Sequence, residues 1–86
     1  MDKESAPFEL FHALTDASSA RVRRYVVEHE LEHVVRFRNV TYPEVQADLT
    51  ARGGTDTPAL WDGERLHQGA DAAIARLDAF RDVGRG

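Results

Sequence analysis

His29-Glu-Leu-Glu-His33 has the residue types and spacing of a zinc-dependent hydrolase motif. That chemistry needs two imidazoles one helical turn apart, a third ligand from elsewhere, and the Glu30 carboxylate aimed at a metal-bound water. It therefore needs residues 29–33 to lie within one helix. The β-branched run that opens at Val34 favours ending the helix before it. His33 is thus expected outside the helix, with Glu28, Glu30 and Glu32 in solvent, and no metal site is expected. His12 and His67 are isolated in sequence and read as strand or surface residues. A second group consists of Asp16, Ser18 and Ser19, whose oxygens suit the start of a helix, where they accept orphan backbone N–H groups. A third is formed by Thr57-Pro58 and by Gly69-Ala70-Asp71. Free N–H groups at such a helix start suit a carboxylate, and an acid in the first turn suits an ammonium group.

Composition narrows the chemistry further. The 86 residues contain no cysteine, which excludes a thiolate nucleophile, a disulfide framework and a cysteine-based zinc site. Eleven basic and fifteen acidic side chains give a net charge of -4 without a long run of one sign. Nucleic-acid binding needs a basic face that displaces counterions from phosphates, so nucleic acid is not expected as a partner. Apolar runs are too short to span a membrane, and Met1-Asp-Lys-Glu-Ser5 is too polar for a signal peptide. A cytoplasmic protein of one small domain, with no membrane partner, is the expectation.

The elements that must position these residues follow from periodicity. Residues 1–6 are polar and precede Pro7, which suggests a short N-terminal arm; residues 83–86 form a tail, leaving 7–82 as the domain. Phe8-Glu-Leu-Phe-His12 alternates apolar with polar residues as a strand does. Thr15 and Asp16 both offer N-caps for a helix that follows to about Glu30, with Val22, Tyr25, Val26 and His29 on one face. Val34–Val40 reads as a second strand. Thr41 and Glu44 have capping-box spacing, and Pro43 fits the first turn of a second helix. Val45 and Leu49 mark that helix's inner face, and Gly53-Gly54 ends it. Ala59–Trp61 and Glu64–His67 read as hairpin arms about an Asp62-Gly63 type I′ turn. Ala70, Ala73, Ile74, Leu77 and Phe80 give the last helix, which should end near Arg81, one apolar stripe. Trp61 and Phe80 are expected in the core, and Arg21, Arg23, Arg24, Arg36 and Arg38 at solvent-facing positions.

This order, βαβαββα, needs a parallel first strand pair joined by a right-handed crossover, with helices on both faces of a four-stranded mixed sheet. Together with Thr57-Pro58, Asp62-Gly63 and the Gly69-x-Asp71 helix entry, it resembles the glutaredoxins and the N-terminal domain of glutathione transferases. The resemblance covers residues 8–82 and implies an α/β thioredoxin fold. It places Asp16-Ala-Ser-Ser19 on the Cys-x-x-Cys position, so a carboxylate stands where the family has its nucleophile. It also implies a cis Thr57-Pro58 bond beside a ligand site. By that resemblance Asp16, Ser18, Ser19, Thr57, Pro58, Ala70 and Asp71 would line a site for a glutathione-like thiol or a peptide. The family's lysine after the first strand is missing; His12-Ala13 stand there, with Arg52 the nearest basic substitute.

The resulting expectation is a redox-inactive binding module with no catalytic residues, no metal and no cofactor, glutathione entering only as a ligand. One alternative is a transferase-like enzyme using Ser18 or Ser19. The other is a small structural or assembly subunit.

Overall fold

The computed structural model describes residues 6–85. Residues 1–5 of the expected arm, and Gly86 of the expected tail, lie outside it. The element order is β1 (Phe8–His12), α1 (Ala17–Glu28), β2 (Val35–Asn39), α2 (Pro43–Ala51), β3 (Ala59–Trp61), β4 (Leu66–Gln68) and α3 (Ala70–Arg85). The strands form one mixed sheet in the order β2-β1-β3-β4. β1 and β2 are parallel, and β1–β3 and β3–β4 are antiparallel. The expected α/β class and mixed four-stranded sheet are therefore present.

Strand alternation divides the core in two. Phe8 and Leu10 of β1 pack with Val22, Val26, Leu60 and Leu77 on the α1–α3 side. Phe11 packs with Val45, Leu49 and Ala59 on the α2 side, where Trp61 and Leu66 close the cluster. Helices thus cover both faces. Phe80 is half-buried and meets Phe8 edge-on, with ring centroids 5.2 Å apart.

Several local expectations change. α1 ends two residues early, at Glu28 rather than Glu30, and α3 runs to Arg85, beyond Arg81. The Thr41–Glu44 capping box does not form: Tyr42 is the N-cap, makes no side-chain cap bond, and Thr41 N–H is taken by Asn39 Oδ1 at 2.9 Å. The hairpin turns one residue later than expected: Trp61 pairs with Leu66, and Asp62 N–H donates to Arg65 C=O at 3.1 Å, which leaves Gly63-Glu64 at the tip. Asp62 Oδ1 accepts the Glu64 and Arg65 N–H groups (2.9 and 2.8 Å), and of the two tip residues Gly63 alone takes positive φ, at 98°, so the turn is not type I′. The Asp62 side chain takes the Arg65 N–H, which a type I′ turn would give to the Asp62 carbonyl.

Arg38 is not solvent-facing either. Its side chain is 11% exposed, bridging Glu9 on β1 and Asp48 on α2, while Arg52 binds the second Glu9 oxygen at 3.0 Å. Alternation had put Arg38 opposite the apolar face correctly, but α2 covers that face too.

Candidate functional site

α1 begins at the carboxyl end of β1, and Asp16 is its N-cap, with extended backbone. Asp16 Oδ1 accepts the Ser18 N–H at 3.2 Å. Oδ2 accepts the Ser19 hydroxyl at 2.9 Å and the Thr57 hydroxyl at 3.1 Å, the latter from a residue 41 positions away. The Ser19 hydroxyl oxygen in turn accepts the Ala13 N–H at 3.2 Å. The Ser19 bond foremost holds the Asp16 carboxyl below the usual carboxylate range; Thr57 and the backbone N–H groups of Ser18 and Ser19 act the same way, against a smaller upward push from burial.

The Thr57-Pro58 bond is cis, as the resemblance implied. Pro58 C=O accepts the Gly69 N–H at 2.8 Å, which fastens the turn to the entry of α3. Gly69 C=O then takes the first helical bond, from Ala73 at 3.0 Å. Three segments distant in sequence, at 13–19, 55–58 and 69–71, are joined in this way. Asp71, in the first turn of α3, meets Arg21 of α1 at 2.8 Å, both side chains largely exposed.

The seven residues singled out from sequence do not have equal access. Ser19, Pro58 and Ala70 are buried, and the Ser19 hydroxyl both donates and accepts within the protein. Ser18 and Asp71 are exposed, and Asp16 and Thr57 are half-buried. The Thr57 N–H, next to the cis bond, donates to Asp56 Oδ1 at 2.8 Å. Arg52 does not replace the missing lysine, because it is tied to Glu9 and lies over the rings of Phe11 and Trp61. The Asp56 and Arg21 contacts had no clear sequence signal: one is an adjacent-residue bond, the other an ion pair across 50 positions.

The His29–His33 segment is split by a helix end. His29 is the C-cap of α1, Glu30 takes left-handed backbone at φ 55°, and His33 lies in the following turn. The two imidazoles therefore do not share a helical face. His29 lies instead against the Tyr25 ring, with centroids 4.3 Å apart. Among the described residues no group of three or more histidine, aspartate or glutamate side chains is placed to hold a metal ion.

Fold and site together define a small α/β domain whose helix start, proline turn and third-helix entry converge around a carboxylate. No family model matches the chain, no curated protein matches its sequence, and no solved structure matches it. Among the described residues no helix is long and apolar enough to cross a membrane.

Proposed function

We propose that the chain is a non-enzymatic binding module on a thioredoxin-type, glutaredoxin-like scaffold, and that the margin around Asp16 receives a peptide from a partner protein. The strand order, with its parallel β1–β2 pair, supports the scaffold. The observation that carries the binding reading is the Asp16 carboxylate, held between α1 and the Thr57 turn. A fixed carboxylate at a helix start attracts ammonium and guanidinium groups and disfavours a thiolate. The second ligand, a glutathione-like thiol, has less support. It brings carboxylates toward Asp16 and Asp71, while Arg52 and Thr57 N–H are engaged elsewhere. The transferase-like alternative retains only Ser18, because Ser19 is enclosed. The assembly alternative predicts self-association without ligand.

Two amide chemical-shift titrations separate these readings, one with a capped arginine-containing peptide and one with glutathione. The expected result is that Ser18, Thr57 and Asp71 move with the peptide, and that Asp16→Asn weakens the effect. Saturable shifts with glutathione alone would transfer the site to the thiol reading. Silence in both titrations would remove the site.

A further inference from the structure

β2 is an edge of the sheet, and its backbone has a defined pattern of open groups. Phe8 N–H donates to Val34 C=O at 3.0 Å at one end of the β1–β2 ladder, and Val40 N–H donates to His12 C=O at 2.9 Å at the other. In a parallel pair, alternate residues turn both backbone groups toward the same neighbour. Val34, Arg36, Arg38 and Val40 therefore face β1, while Val35, Phe37 and Asn39 face outward. Val35 N–H is used by Leu31 C=O (3.1 Å), and Asn39 C=O accepts from Tyr42 N–H (3.2 Å). Among the described residues, Val35 C=O, both backbone groups of Phe37 and Asn39 N–H find no backbone partner and face the open edge. The other edge strand, β4, is only three residues long, and its Gln68 side chain holds the Thr55 N–H.

Side chains along β2 specify what could pair there. Phe37 is 40% exposed, resting against the buried His12 ring at 5.4 Å. Arg36 and Arg38 flank it on the opposite face of the strand. Arg38 is compensated by Glu9 and Asp48; Arg36 makes no direct ion pair among the described residues and acts on Asp48 only through space. A hollow of about 330 Å³, lined by Ala6, Glu32, His33, Val35 and Arg36, lies at the start of the strand. A second copy of β2 paired antiparallel about Phe37 would set Arg36 against Arg38, whose charge Glu9 and Asp48 already take up, so that pairing supplies no free carboxylate to Arg36.

We propose that the β2 edge is a docking site for an extended acidic segment of a partner protein, added to the sheet as a fifth strand. The segment places an apolar residue opposite Phe37 and a carboxylate opposite Arg36. Main-chain bonds to Phe37 and Asn39 supply the attachment, and the alternate side chains supply the choice of partner. This surface is distinct from the Asp16 margin and selects the opposite charge, so the two proposals stand or fall separately.

The probe is a capped seven-residue peptide alternating glutamate and valine, with its lysine–valine counterpart as control. The glutamate peptide should shift the Phe37 and Asn39 amides and slow their hydrogen exchange, leaving Ser18 and Thr57 unmoved. Arg36→Glu should weaken that binding by about tenfold and reverse the preference toward the lysine peptide. Phe37→Pro removes one outward N–H without touching a bond to β1, and should abolish the response while the β1 amide shifts remain dispersed. Equal binding of both peptides, or no shift at Phe37 and Asn39, would overturn the proposal. So would the same shifts arising from protein concentration alone, which would assign the edge to a second copy.

Discussion

His12 closes β1 with its side chain buried, and its Nδ1 lies 3.1 Å from Arg23 Nη1. A guanidinium only donates, so Nδ1 accepts and the ring proton sits on Nε2. The same Arg23 nitrogen also donates to Ala13 C=O at 3.1 Å, which holds the loop into α1. Burial first, and the Arg23 charge second, push the His12 pKa below the usual histidine value. The unfolded chain then binds a proton that the folded one refuses. This contribution to stability is complete above the unfolded pKa, about 6.5, and declines as pH falls through it toward the lower folded value. Urea midpoints at successive pH values between 7.5 and 5 should fall more steeply for the natural chain than for His12→Gln. Parallel slopes for the two proteins would exclude His12 as the titrating group.

At the scale of elements, the ends of α1 and α2 are built alike from different residues. In α2, Gly53 N–H bonds Thr50 C=O (3.0 Å) and Gly54 N–H bonds Leu49 C=O (2.9 Å), with Gly53 at φ 89°. In α1, Glu30 N–H bonds Val27 C=O (3.1 Å) and Leu31 N–H bonds Val26 C=O (2.8 Å), with Glu30 at φ 55°. Both are Schellman ends, which favour glycine at the left-handed position. Glu30 bears the Cβ cost there and adds a negative charge near the carboxyl end of a helix. Glu30→Gly should therefore stabilise the protein by about 1 kcal/mol, the relief exceeding the extra entropy of glycine in the unfolded chain. Glu30→Ala, which removes only the charge, should gain less. A thermal midpoint for Glu30→Gly no higher than that of Glu30→Ala would contradict this account. The pair also marks how far sequence reasoning reaches. Gly53-Gly54 announced its helix end because glycine is the residue that suits positive φ. Glu30 gave no such signal, and only the β-branched run from Val34 warned that the helix must stop. Periodicity located the helices and the first two strands, because each buries one face. β4, with no residue fully buried, is legible only from the turn beside it and starts at Leu66 rather than Glu64. The Asp62 loop and the Tyr42 cap escaped periodicity, because local side-chain bonds decided between turns that spacing leaves equivalent. At the site, capping chemistry offered Thr15 and Asp16 as the helix start, and the fold uses Asp16. The burial of Ser19 and the bond to Thr57 required the folded chain.

For the whole molecule, the decisive relation is between the two clusters on either side of the sheet. β1 sends Phe8 and Leu10 into one and Phe11 into the other; β3 sends Leu60 into the first and Ala59 and Trp61 toward the second. Neither side can lose its strands without dismantling its neighbour, so the domain should unfold as one unit. Leu77 of α3 is fully buried in the first cluster, while Trp61, the single tryptophan, reports on the second. Leu77→Ala leaves a cavity on the side away from Trp61 and should cost about 2–5 kcal/mol. A domain of this size holds only about 0.05–0.15 kcal/mol per residue, so the loss is a large share of its stability. In a urea titration, tryptophan fluorescence and far-ultraviolet circular dichroism should shift together to the same lower midpoint. If Trp61 fluorescence kept its original midpoint while the helical signal moved, the two halves would be independent and the shared strands would not couple them. Coincident shifts would place the cooperativity in β1 and β3.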